Sequence, residues 1–251
     1  MISKPSNSAP RPVPSADLAQ VWIDFDGTIS SQDVLDELIT RYARDDSWKL
    51  LERRWQNGEI GSRACLAGQF DLVRITPPEL DAMLNRITLD PGAVALFRLL
   101  DLHRVPVIIV SDCVDFFIRR ILRRYGFAHL EVRSNTAVFA DGGLRLFCPH
   151  ESRRCTFGAA HCKCDSMDAL GQPSRRSIYV GDGRSDLCAS RKADLVFAKS
   201  VLTRLLDAEK IPYLPYTTLQ DVAATLSAAW QADSAVAVPV FAVRPERARG
   251  S

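Results

Sequence analysis

No stretch of this chain is an uninterrupted apolar run of the roughly 18 residues that a membrane helix needs, and its first residues have no signal-peptide core. A cytoplasmic protein with no membrane partner is the expectation. Charge excess is also missing, since 32 Lys and Arg face 30 Asp and Glu for a net charge of +2. With both signs mixed along the length, nothing points to nucleic acid. There is no internal repeat, which removes solenoids and arrays. The cysteines number seven, an odd count that does not suit a secreted disulfide framework. They read as reduced thiols or metal ligands.

What is present suits a buried core, with 47% hydrophobic and 25% charged residues. A length of 251 residues allows one large domain or a core with a smaller companion. Residues 1–16 hold four prolines and four serines with little to pack, the composition of a disordered leader. The informative stretch comes next, Val21-Trp22-Ile23-Asp24-Phe25-Asp26-Gly27-Thr28. A buried parallel strand reads as an apolar run that stops where open α/β sheets place their ligands. Two carboxylates this close repel one another unless a proton or cation compensates, and a divalent metal meets that need. One of them can attack as a nucleophile while the other moves a proton. The same D-x-D spacing also occurs in solvated turns, so the rest of the chain decides.

After Asp33, apolar residues recur at helical spacing, as in Val34, Leu35, Leu38 and Ile39, then Leu50, Leu51 and Trp55. Breaks at Asn57-Gly58 and Thr76-Pro77-Pro78 divide residues 33–87 into about four helices. That is too long for a loop and reads as a small helical cap that can shut water out of a site. Pro91 opens the following helix, and residues 105–110 form a second buried strand that ends at Ser111-Asp112. A helix from about 114 to 125 would aim its amino end at an anion beside Ser111; alternatively Ser111 is only an N-cap. Residues 131–147 predict a strand and a hairpin that turns at Asp141-Gly142-Gly143.

His150, Cys155, His161, Cys162 and Cys164 then crowd around Lys163, with Cys148 just before them. Their spacing is not that of a standard zinc finger, so structural zinc and a reduced loop both stay open. Lys163 starts a helical pattern and suits an ammonium that neutralises a phosphate. Residues 177–180 form a third apolar strand that runs into Gly181-Asp182-Gly183-Arg184-Ser185-Asp186, with glycines that admit a ligand close to the backbone. Beside the first strand, Asp182 can complete a magnesium site with Asp24, while Asp186 fixes the ion or its waters. Residues 194–198 give another strand and 217–232 a closing helix, and 233–251 read as a flexible tail.

The four separated signals at Asp24, Ser111, Lys163 and Asp182 resemble, in order, the motifs of the haloacid dehalogenase superfamily, over about residues 19–214. The resemblance implies a Rossmann-like parallel sheet flanked by helices, a catalytic core of 17–32 and 88–232, and a helical cap of 33–87. It implies a Mg²⁺-dependent phosphatase of a small phosphorylated metabolite. Asp24 would accept the phosphoryl group, and Asp26 would protonate the leaving oxygen and then activate water. Ser111 and Lys163 would grip phosphoryl oxygens, with Thr28 and Asp112 in the same pocket, and Asp24, Asp26, Asp182 and Asp186 would serve the metal. Superfamily members that cleave carbon–halogen bonds lack the second acid, because a departing halide needs no proton.

The cap is similar to that of phosphoserine phosphatases, and Asp33 falls where those enzymes face the substrate's amino group. Gln69 stands where they carry an arginine for the substrate carboxylate. Val114-Asp115-Phe116-Phe117, Cys148-Pro149-His150 and Leu214-Pro215-Tyr216 resemble the 2-hydroxy-3-keto-5-methylthiopentenyl-1-phosphate phosphatases of methionine salvage. Asp112 departs from the glycine usual there. Phosphoethanolamine/phosphocholine and pyridoxal-phosphate phosphatases share the Cys-rich approach to the lysine and the Ser-Asp pair, and an anion at 112 could face a cationic leaving group. A non-catalytic zinc or partner-binding module on the same fold is the alternative of another class.

Overall fold

The computed structural model describes residues 11–236. Seven strands form one sheet, in the order β4 (Gly143–Phe147), β3 (Glu131–Ala140), β2 (Val107–Val114), β1 (Ala19–Ile23), β5 (Arg176–Gly181), β6 (Leu195–Ala198) and β7 (Leu214–Pro215). At its centre β1 (Ala19–Ile23) is buried throughout and pairs in parallel with β2 (Val107–Val114) and β5 (Arg176–Gly181). Val21 and Ile23 enter the apolar cluster on one face, and Trp22 enters another with Ile108, Met167 and Tyr179 on the opposite face. A strand covered on both sides cannot alternate polar with apolar, hence the unbroken run in the sequence. β3 (Glu131–Ala140) extends the sheet in parallel, and β4 (Gly143–Phe147) returns antiparallel at that edge. β6 (Leu195–Ala198) and β7 (Leu214–Pro215) continue the parallel sheet on the other side.

Four helices, α1 (Val34–Tyr42), α2 (Trp48–Gln56), α3 (Ser62–Leu72) and α4 (Pro77–Leu84), lie between β1 and α5 (Ala93–Leu102). Their starts have local causes. The Asp33 carboxylate accepts the Asp36 amide at 2.9 Å to cap α1, and Thr76 with Glu79 forms a capping box ahead of Pro77 at α4. The remaining helices are α6 (Asp115–Arg124), α7 (Lys163–Leu170), α8 (Leu187–Ser190), α9 (Ser200–Glu209) and α10 (Leu219–Val236). The result is the α/β Rossmann-like class expected from the sequence. The chain passes from β1 to β2 on one side and later to β5 on the other, so their carboxyl ends open onto one crevice.

Several boundaries differ from the sequence reading. β2 does not stop before Ser111 but runs on to Val114, because β3 keeps pairing with it across an irregularity between Ser111 and Val114. α5 begins at Ala93 rather than at Pro91; Asp90 Oδ1 accepts the amides of Gly92 and Leu219 at 2.9 and 2.8 Å and holds the preceding turn. Part of the expected leader is packed, since Val13 and Ala16 lie against the core and Trp230 Nε1 donates to the Pro14 carbonyl at 2.9 Å. Residues 1–10 and 237–251, the rest of the leader and most of the tail, lie outside the described residues. Among the described residues no helix is long and apolar enough to cross a membrane.

Candidate active site

A cavity of about 240 Å³ opens where β1, β2 and β5 end. Its floor holds Asp24, Asp26, Ser111, Asp112, Lys163 and Asp182, which are drawn from four separate stretches of chain. Lys163, the first residue of α7, is 1% exposed and donates to Asp24 Oδ1 at 2.7 Å and Asp186 Oδ1 at 2.6 Å. Burial alone would push this ammonium's pKa down, but Asp186, Asp24 and Asp112 outweigh it and hold the pKa above the usual lysine value. Asp24 Oδ1 also accepts the Phe25 amide at 2.7 Å, so Oδ2 is the oxygen left to react. Burial, then Asp186, raises the Asp24 pKa against the opposing charge of Lys163.

The turn after β1 places Asp26 in the same cavity, two residues beyond Asp24. Asp26 Oδ1 accepts the Val34 amide at the start of α1, 2.9 Å away. Its pKa is raised well above the carboxylate norm by burial and then by the Asp33 charge, with the Val34 bond opposing. Gly27 makes this turn at φ +70°, and a Cβ there would stand 2.8 Å from Asp182 Oδ2. Both facts favour glycine.

Oxygens of Asp24, Asp182 and Asp186 lie within 4.8 Å of one another, the only such group of possible metal ligands among the described residues. Hard carboxylate oxygens of this kind suit Mg²⁺. Asp26, expected among the metal ligands, stands outside this group because its carboxylate is turned to α1. Asp186 is in the group but fully used by protein. Oδ1 accepts from Lys163 and the Tyr179 hydroxyl, both at 2.6 Å, and Oδ2 from the amides of Asp182 and Gly183, both at 2.9 Å. Four donors leave no lone pair for an ion, so Asp186 fixes the loop and the lysine, and Asp24 with Asp182 are the residues that would hold Mg²⁺.

Thr28, expected in the phosphate pocket, is fully buried beneath it and donates to Asp182 Oδ1 at 3.0 Å. Behind it the Tyr216 hydroxyl donates to the Gly181 carbonyl at 3.3 Å. Ser111 reaches the cavity from within β2, its Oγ accepting the Cys113 amide at 3.0 Å. Asp112 Oδ1 accepts the His161 amide at 2.7 Å, which ties the Cys/His loop to the cavity floor. Asp33 sits at the rim, and Gln69, 2% exposed, donates to Glu52 Oε2 at 3.2 Å. Sequence reasoning passed over Asp36, Glu52, Trp55 and Arg184, which also line the cavity.

The histidines and cysteines before Lys163 do not converge on one point. His161 Nε2 pairs with Ser166 Oγ at 2.7 Å, the His150 and His161 rings lie 5.1 Å apart with their planes tilted by 48°, and Cys162 Sγ lies 3.5 Å from Cys164 Sγ. A closed zinc tetrahedron, which the non-catalytic alternative needs, is not formed by them.

A parallel sheet whose strand ends bring together two aspartates of one turn, a buried lysine and a further carboxylate has the haloacid dehalogenase fold, and the chain is a phosphatase, a phosphoric monoester hydrolase. More specifically, the chain belongs to the family described as Putative Phosphatase, whose model matches residues 19–204. It is 26% identical over 208 residues to 2-hydroxy-3-keto-5-methylthiopentenyl-1-phosphate phosphatase of Lysinibacillus sphaericus, covering 80% of this chain and 90% of that one. To the enzyme of the same name from Exiguobacterium sp. strain ATCC BAA-1283 / AT1b it is 28% identical over 207 residues, covering 81% and 95%. Its fold is similar to that of the haloacid dehalogenase family hydrolase t0658 of Salmonella enterica serovar Typhi, with a TM-score of 0.67, 21% identity and coverage of 85% and 72%. A phosphoserine phosphatase solved as a phospho-aspartyl intermediate analogue gives a TM-score of 0.63 at 18% identity, covering 86% and 98%.

Proposed function

We propose that this protein hydrolyses a small phosphorylated metabolite with Mg²⁺ through a phosphoryl-aspartate on Asp24. The observation that carries this reading is the Lys163 ammonium held 2.7 Å from Asp24, whose carboxylate lies beside that of the half-buried Asp182. Asp24 Oδ2 attacks phosphorus, and the bond to the leaving oxygen breaks as Asp26 hands it a proton. Asp26 then takes a proton from the water that attacks the phosphoryl-aspartate, which releases phosphate and restores Asp24. Ser111 and Lys163 bind the phosphoryl oxygens. A Mg²⁺ ion held by Asp24 and Asp182 would offset the negative charge of phosphate and carboxylate, which is where catalysis of phosphoryl transfer chiefly lies.

For the organic part, the names of the relatives support 2-hydroxy-3-keto-5-methylthiopentenyl-1-phosphate. A second reading, an amine-bearing phosphate such as phosphocholine or phosphoethanolamine, is favoured by the wall opposite the phosphate end. There Asp33, Asp36, Glu52 and Trp55 line the cavity, to which the helices α1–α3 contribute no Lys or Arg. The same lack of a cation there argues against phosphoserine.

Phosphate release from a panel of these metabolites with Mg²⁺ tests the proposal. Asp24→Asn is expected to fall to background with a thermal midpoint close to wild type, because Asp186 still pairs Lys163. Turnover by the variant would refute the mechanism.

A further inference from the structure

Three thiols border the catalytic lysine without a part in the chemistry above. Cys162 and Cys164 flank Lys163 in the chain, with their sulfurs 3.5 Å apart at the first turn of α7. Cys188, two residues beyond Asp186, lies next to Cys164. Cys162 is buried, while Cys164 is partly open to solvent. A disulfide needs its sulfurs at about 2.05 Å, so Cys162 and Cys164 need only a modest approach to bond. The residue that such a bond would enclose is Lys163.

We propose that Cys162 and Cys164 form an oxidisable pair whose disulfide switches the phosphatase off. The oxidant class is a hydroperoxide. One thiol of the pair takes one oxygen from H₂O₂ to give a sulfenic acid and water, and the other thiol then displaces a second water to form the S–S bond. Two thiols lose two electrons and two protons, and one peroxide becomes two waters. Closing the ring around Lys163 pulls the start of α7 out of its helical path. The Lys163 ammonium then leaves its 2.6 and 2.7 Å contacts with Asp186 and Asp24. A displacement near 1 Å in such a constellation costs up to about 100-fold in rate. Reduction of the bond reopens the ring and restores the lysine.

The effect on activity rests on the phosphatase reading; the bond itself does not. The test treats the reduced full-length protein with H₂O₂, then follows p-nitrophenyl phosphate hydrolysis with Mg²⁺ before and after dithiothreitol. In parallel, unreduced tryptic peptides are sequenced by mass spectrometry; trypsin cuts at Lys163, so a 162–164 bond joins two otherwise separate peptides. The expected result is a loss of at least roughly tenfold, recovered on reduction, with the joined peptides in the inactive sample. Cys155→Ser and Cys188→Ser should retain this reversible loss, and Cys162→Ser and Cys164→Ser should not show it. Reversible inactivation that persists in Cys162→Ser, a bond between Cys164 and Cys188 instead, or full activity with the 162–164 bond in place would each overturn the proposal. The peptide map on wild-type protein needs no variant to fold. A reduced protein with no phosphatase activity would defeat the phosphatase reading, leaving the bond to be judged by the map.

Discussion

The general-acid role proposed for Asp26 requires a proton on its carboxyl group at neutral pH, and burial beside the Asp33 charge raises its pKa in that direction. The Val34 amide limits the effect and fixes the direction in which the acid points. Asp24, two positions earlier, is likewise raised by burial and then by Asp186, but of the two it is the one that contacts Lys163, whose ammonium opposes the rise. In the proposed mechanism the contact with Lys163 marks Asp24 as the acid that attacks phosphorus and leaves Asp26 as the one that gives a proton. Asp26→Asn is expected to lower kcat on an alkyl phosphate by about 100-fold or more, the usual contribution of a general acid. On p-nitrophenyl phosphate, whose leaving group departs without a proton, the loss should be smaller. Equal losses on the two substrates would show that Asp26 does not protonate the leaving oxygen.

Among the elements, β5 and the turn after β1 depend on each other through Thr28, which donates to Asp182 while packed under the cavity. Burial and the Asp186 charge push the Asp182 pKa up to about 6, and the Thr28 bond opposes this. A protonated Asp182 cannot ligate a cation, so Mg²⁺ affinity should fall as pH drops through about 6. Thr28→Val removes the opposing bond and should raise the Mg²⁺ concentration for half-maximal activity by roughly tenfold at pH 6. The increase should shrink at pH 8, where the carboxylate is ionised in either protein. Mg²⁺ titrations of activity at the two pH values check this, and an unchanged requirement at pH 6 would remove Thr28 as the support of Asp182. The central strands were legible because they are buried on both faces and so read as plain apolar runs. The far end of β2 was not, since its extension to Val114 depends on pairing with β3, a partner distant in sequence. Nor does a sequence say to which side a side chain after a strand turns, and Thr28 turns to Asp182 beneath the cavity.

For the molecule as a whole, the strand-end motifs were readable because few uses other than chemistry place carboxylates, a serine and glycines after buried strands. The opposite wall was not readable. Glu52 and Trp55 belong to α2, which has no fully buried residue and reads as an ordinary surface helix until tertiary packing turns one side of it to the cavity. That packing is set where α3 meets the loop ahead of Lys163. The Arg63 amide donates to the Gly158 carbonyl at 3.1 Å, the Ala160 amide to Ser62 Oγ at 3.0 Å, and Arg63 pairs with Glu151 at 2.6 Å. At Gly61 the backbones touch, and a Cβ there would lie 2.2 Å from the Gly158 carbonyl oxygen and 2.5 Å from that of Phe157. Neither oxygen belongs to a flexible side chain, so Gly61→Ala has to push the helices off the core. Ser62, Cys65 and Gln69 would move with α3, and the cavity would widen at its organic end while Asp24, Lys163 and Asp182 stay in place. The expected outcome is a rise in KM of roughly tenfold for the metabolite that the panel identifies, since shifts near 1 Å cost up to about 100-fold. The kcat for p-nitrophenyl phosphate should change by less than about twofold, because the phosphate end is untouched. Steady-state kinetics on both substrates distinguish the cases: an unaltered KM for the metabolite would mean that this contact does not set the shape of the cavity, and a collapse of both rates would mean that the helices also hold the phosphate end.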